Sequence, residues 1–252
     1  MMKSYSTRPG SSRNCEAGFS LIEMLLSVLV LVIVMTAVFK QIDIVQRHSK
    51  NESMKLDLTQ ESRAFADQFA RDLHMSGYPS SKQYQSNGGP TDKTLALGLV
   101  AASPTSIRFE GDVYGDGNVY SVLYSYFQSD PNDGNCPCLR RSVQFKQNGD
   151  PVYVTGDPAL GGKPGQAAPL YYTEVQNLID PTGMAQPIFT FYEANGTQIP
   201  VPAGGINIET APATMQQIDA VKVNLNTRSA QTDPQTGQKM VLSISTIAEL
   251  EN

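Results

Sequence analysis

The chain has 252 residues, enough for one sizeable domain plus an anchor. Its formal net charge is −5 and its pI about 5.1, so the overall field opposes nonspecific binding to nucleic acid, although a local basic patch stays compatible with it. With 20 Gly, 16 Pro and no Trp, the part beyond the anchor suits a loop-rich β domain.

Residues 1–18 are polar and net positive, with Lys3, Arg8 and Arg13 against Glu16, and have no apolar core of their own. A secretory signal peptide has its apolar region before the cleavage site. Here the apolar run follows, at residues 19–39, so ordinary signal cleavage would not remove it. That run contains no Gly or Pro, and Glu23 is its only charge. A helix of roughly 20 apolar residues crosses a bilayer core, whereas a soluble core helix keeps a polar face that this run lacks. Lys40, Asp43, Arg47 and Lys50 mark the return to water. Positive residues stay cytoplasmic, which places the rest of the chain outside the inner membrane. A carboxylate inside hydrocarbon costs about 2.5–3.5 kcal/mol on insertion scales, so Glu23 is a functional candidate. One helical turn from Phe19, it also reads as an acid snorkelling to the interface.

The residues before it favour the first reading. Gly18-Phe19-Ser20-Leu21-Ile22-Glu23, set ahead of an uninterrupted span, resembles the start of type IV prepilins and type II secretion pseudopilins. The resemblance implies that a prepilin peptidase cuts after Gly18 and N-methylates Phe19. It implies that Glu23, fifth in the mature chain, pairs with the amine of a neighbouring Phe19 as subunits leave the bilayer. An acid and an amine that neutralise each other lower the cost of burying both, and Gly18 suits a protease subsite that admits no side chain. The partners implied are the peptidase, an inner-membrane assembly platform, and other major and minor pilins.

Residues 40–77 keep a helical pattern without the membrane hydrophobicity. Met54, Leu58, Phe65, Phe69 and Leu73 fall on one face, while Lys55, Glu61, Arg63, Asp67 and Arg71 fill much of the remainder. Gly77 followed by Pro79 is a helix stop, so one helix is predicted from about residue 19 to 76. Phe69-Ala70-Arg71-Asp72-Leu73-His74-Met75-Ser76-Gly77-Tyr78 resembles the segment that ends this helix in PilW-like minor pilins, with Ser76 where alanine is usual. That second likeness favours a minor over a major subunit.

Residues 78–252 make the β-rich head. A polar connecting loop covers 79–93, rich in Ser, Gly, Asn and Gln. Strands are predicted at 95–100, 106–110, 119–127, 139–146, 152–154, 188–193, 220–226 and 241–247. Asn148-Gly149 and Asn195-Gly196 predict tight hairpins, and residues 156–169 and 201–215 read as long surface loops. One helix followed by many strands is an α+β fold with an antiparallel sheet. The resemblance implies a sheet wrapped over the second half of a long N-terminal helix. Eight candidate strands exceed the usual four-stranded core, which points to a second small sheet or elaborated loops.

Little in the head suggests catalysis. Cleavage would remove Cys15, leaving Cys136-Pro137-Cys138 in an exported setting where disulfides persist. A local disulfide, a pair of intermolecular bonds and free thiols all remain open, since a bond across one residue is strained. Zinc needs about four ligands, and His48 and His74 are distant. The loop from Glu110 to Asn118 offers Asp112, Asp116 and Asn118 as weak calcium candidates, but Asp-Gly is also an ordinary turn. Ser20 lacks the closing glycine of a nucleophile elbow, no metalloprotease, phosphate-loop or dinucleotide pattern occurs, and Asp130 and Asp133 sit beside turn residues. The tyrosines from Tyr114 to Tyr126 read as sheet packing rather than an adhesive surface. No cofactor is expected. The sequence therefore reads as a noncatalytic PilW-like minor pilin that ends in the pilus at the cell surface. The alternatives are a GspJ-like minor pseudopilin of type II secretion and a membrane-anchored periplasmic binding or enzymatic domain.

Overall fold

The computed structural model describes residues 20–79, 92–129, 134, 136–146, 171–181, 187–233 and 236–250. The strand expected at 152–154, the turn at Asn148-Gly149, the loop at 156–169 and most of the loop at 79–93 lie outside the described residues. Two units are distinguished, residues 1–50 and residues 51–252.

A single α-helix, α1 (Leu21–His74), runs through the boundary between them. Its first turn closes on Ser20, whose carbonyl accepts the N–H groups of Glu23 and Met24 at 3.0 and 3.1 Å. In the first unit every residue from 20 to 50 is exposed. The helix is long and apolar enough to cross a membrane. The two hydroxyls of residues 21–39 are satisfied within it: Ser27 donates to the Met24 carbonyl at 2.9 Å and Thr36 to that of Val32 at 2.8 Å. That arrangement suits a hydrocarbon surround, where water cannot serve as partner.

In the second unit the same helix becomes amphipathic. Leu58, Phe65, Phe69 and Leu73 are buried and Met54 half-buried, while Lys55, Arg63, Asp67 and Arg71 face solvent. Asn51, Ser62 and Asp72 are buried too. The helix ends as the Gly-Pro signal predicts: Gly77 takes φ 84°, a region that glycine enters without strain.

Among the described residues the head has ten strands in two antiparallel sheets. The first holds β1 (Gly98–Ala102), β2 (Ser106–Gly111), β3 (Tyr120–Phe127), β4 (Cys138–Phe145), β5 (Tyr172–Val175) and β8 (Ile206–Asn207), in the order β5-β4-β3-β2-β1-β8. The second holds β6 (Phe189–Tyr192), β7 (Gln198–Ile199), β9 (Ala220–Thr232) and β10 (Lys239–Glu249), in the order β10-β9-β6-β7. A long N-terminal helix packed on antiparallel sheets is the α+β architecture that the sequence predicts.

Phe69 stands where helix and sheets meet. Its ring lies 5.3 Å from that of Tyr124 on β3, in the first sheet, and 5.9 Å from that of Phe189 on β6, in the second. Phe65 adds an edge contact to Tyr124 at 5.7 Å. These rings join Leu73, Ile107, Phe109, Val122, Leu139, Val221 and Val223 in one core.

The end of the helix is clasped to β2. Gly77 N–H donates to the Glu110 carbonyl at 2.9 Å, Asp112 N–H donates to that of Tyr78 at 2.8 Å, and Ser76 bridges to Gly111. A Cβ on Gly111 would collide with the Met75 carbonyl oxygen. Because that obstacle is backbone, Gly111→Ala should destabilise the head by about 1–3 kcal/mol, the usual range for overpacking. Thermal unfolding of the detergent-solubilised chain would measure it.

Several elements differ from the sequence expectation. The stretch 201–215 is not a featureless loop: it contains β8 and a short helix α2 (Pro212–Gln216), anchored by buried Met215. Two-residue strands and one helical turn carry too little periodicity to be read. Strand β5 was not predicted, and β9 continues past residue 226 through Thr227–Thr232, a polar run paired with β10 as far as Thr232. The Asn195-Gly196 hairpin is present, joining β6 to β7 with Gly196 at φ 82°.

Candidate functional site

Gly18 and Phe19 lie outside the described residues. Glu23 occupies the first turn of α1, exposed on an otherwise apolar surface. The positive end of a helix dipole favours a carboxylate there. Among the described residues no cation lies within ion-pair distance of Glu23.

Between β2 and β3 the three calcium candidates are drawn into one turn. The two carboxylate oxygens of Asp112 accept the N–H groups of Asp116 at 3.1 Å and Gly117 at 2.8 Å. Those of Asp116 accept Asn118 N–H at 3.0 Å and the Tyr120 hydroxyl at 2.5 Å. The Tyr120 hydroxyl and the Asn118 amide hold the Asp116 carboxyl below its ordinary range. These bonds stabilise a tight turn with Gly115 and Gly117 at positive φ. Among the described residues no group of three or more His, Cys, Asp and Glu side chains is placed to hold a metal ion. Cys136 and Cys138 form a disulfide with their Cα atoms 4.4 Å apart, at the entry to β4. Asp130 and Asp133 lie outside the described residues.

The tyrosines divide between packing and exposure. Tyr120 and Tyr124 are buried, as sheet packing requires, whereas Tyr114 is half exposed and meets Tyr120 edge-on at 4.9 Å.

Two buried ionic networks were not read from the sequence. In the first, Asp72 accepts Gln68 Nε2 at 2.6 Å on one oxygen, and on the other the Tyr124 hydroxyl and Arg141 Nε, both at 2.7 Å. Arg141 also lies over the Tyr124 ring at 5.9 Å. Burial and the Asp72 charge push the Tyr124 hydroxyl well above its ordinary pKa. The network ties α1 to β3 and β4. Asp72 follows Phe65 and Phe69 at helical spacing, and that spacing is the signal that could have found it.

In the second, Lys146 and Glu110 are wholly buried and 2.7 Å apart. Lys146 also donates to the Leu95 carbonyl at 2.7 Å, and Leu97 N–H donates to Glu110 at 3.1 Å. Burial raises the Glu110 carboxyl even against the pull of Lys146. The pair fixes the segment entering β1 against β2 and the end of β4.

Glu61 gives a pH test. Its carboxylate accepts Gln176 N–H at 2.7 Å, yet burial still raises its pKa above the ordinary 4.5. A folded pKa above the unfolded one means its contribution is fully present below 4.5 and is lost as pH rises through the folded value. Glu61→Gln keeps an acceptor for Gln176 and removes the desolvated charge. The variant should melt above the parent at pH 7, with the gap closing at pH 4.

Residues 13–39 match the family described as the prokaryotic N-terminal methylation motif. The chain carries a prepilin-type motif. No curated protein and no solved structure matches the chain. The motif supports a type IV pilin-like or pseudopilin-like protein, structural in kind. It implies processing by prepilin peptidase and assembly with other pilins, and with the apolar helix it fits membrane anchoring.

Proposed function

We propose that the chain is a PilW-like minor pilin. It is held in the bacterial inner membrane by the first half of α1, with its head in the periplasm. It is cut between Gly18 and Phe19, methylated on Phe19, and drawn into a type IV pilus through the apolar helix. There it acts in initiating assembly or at the tip, in adhesion, motility or DNA uptake, and Glu23 sets its register against a neighbour. The observation that carries this reading is the methylation-motif match over residues 13–39, which takes in an exposed, uninterrupted apolar run. The Phe69–Tyr78 segment favours a minor subunit.

The test is the mass of the N-terminal peptide from cells with and without prepilin peptidase. A peptide beginning at methylated Phe19, absent when the peptidase is deleted, is the expected result. An intact Met1 leader or a cut elsewhere would overturn the reading. Recovery of the chain in sheared surface filaments separates a pilus subunit from a secretion pseudopilin.

A further inference from the structure

We propose that the outer edge of β10 is a docking edge for β10 of a second copy of this chain, paired antiparallel about Ile244. The inference is independent of the pilin reading and concerns the head alone.

Among the described residues the two sheets end in four edge strands. Three are short: β7 and β8 have two residues each and β5 has four. Short edges are one way in which proteins block unwanted pairing. β10 is the exception, an 11-residue strand whose one neighbour in the sheet is β9. From Met240 to Ala248 it holds no proline and no charge, and its one irregularity lies at its start, between Lys239 and Val241. Among the described residues the usual protections of a long edge are missing.

The core-facing side is also left partly open. Leu242, Ile244 and Thr246 face Thr227, Leu225 and Val223 across the pair with β9. The β9 residues are buried, whereas their β10 partners are only half-buried. One more strand would complete their cover. On the other side Val241 and Ile247 are 57% and 60% exposed.

The side-chain order along β10 favours its own copy as the added strand. Antiparallel pairing centred on Ile244 sets Lys239 opposite Glu249, Val241 opposite Ile247 and Ser243 opposite Ser245, each twice. Opposite charges thus meet at both ends and exposed apolar residues meet between them. Directly opposed side chains in such a pair have Cβ atoms about 4.5–5.5 Å apart. The contact is isologous and closes on two copies.

The test uses the full chain with Cys15→Ser, in isolated membranes, treated with a short bis-maleimide. Co-production of Ser243→Cys and Ser245→Cys chains should give a dimer band several-fold stronger than either alone. Adding Val241→Glu and Ile247→Glu to both should reduce that band several-fold, by opposing acid to acid across the pair. Within one head these acids face Arg228 and Lys222 on β9, so folding is retained, which an unchanged melting temperature would verify. Val241→Glu with Ile247→Lys opposes acid to base and should restore the band. No dimer band, an equal band from Ser243→Cys alone, a product with another protein, or indifference to the paired glutamates would overturn the proposal.

Discussion

A Glu23→Val chain should be cleaved and inserted as the parent is, and yet be missing from sheared filaments. Removing a carboxylate from the span makes the bilayer a better home by about 3 kcal/mol, roughly a hundredfold in the balance between membrane and filament. The substitution also deletes the partner proposed for the amine of a neighbouring Phe19. Both effects act in the same direction. The measurement is the ratio of processed chain in membranes to chain in filaments, by immunoblot. A variant that enters filaments at the parental level would reduce Glu23 to a snorkelling residue.

Asp72→Ala should strongly destabilise the head. Asp72 and Arg141 are 2% and 11% exposed, and truncating the aspartate leaves a buried guanidinium and the Tyr124 hydroxyl without their acceptor. Breaking a buried pair in this way costs about 3–5 kcal/mol. For a domain of this size that lowers the melting temperature by about 10 °C. Asp72→Ala with Arg141→Ala should lose less than the sum of the two single changes, because neither member of the pair is left buried without the other. An additive double variant would mean that the network is not coupled.

Elements with a strong physical signature could be read from the sequence. The helix was legible because residues 19–39 have no polar face, and because Leu58, Phe65, Phe69 and Leu73 then repeat at helical spacing up to Gly77 and Pro79. Strands β3 and β6 were legible because they are rich in aromatic and β-branched residues, and β2 and β4 because apolar residues recur at two-residue spacing, as Ile107 and Phe109 or Val143 and Phe145 do. Strands β7 and β8 were not, since two residues have no period. The far end of β9 was not, because Thr227, Arg228 and the polar residues after them carry no apolar alternation and depend on β10 for their pairing. The motif at 18–23 was legible as a string. The ionic networks were not, because Asp72 meets Arg141 and Glu110 meets Lys146 only after the chain has folded across tens of residues.

The manner in which α1 is fastened determines how the head bears load. Side-chain packing at Phe69, the Asp72 ion pair and, just past the helix end, the main-chain clasp between Gly77 and Glu110 hold this stretch to different strands. Tension drawn along the helix axis is therefore shared among these attachments at once and does not open them singly from one end. The helix can be pulled free only by shearing the core, so the head should yield abruptly at high force and not by gradual peeling.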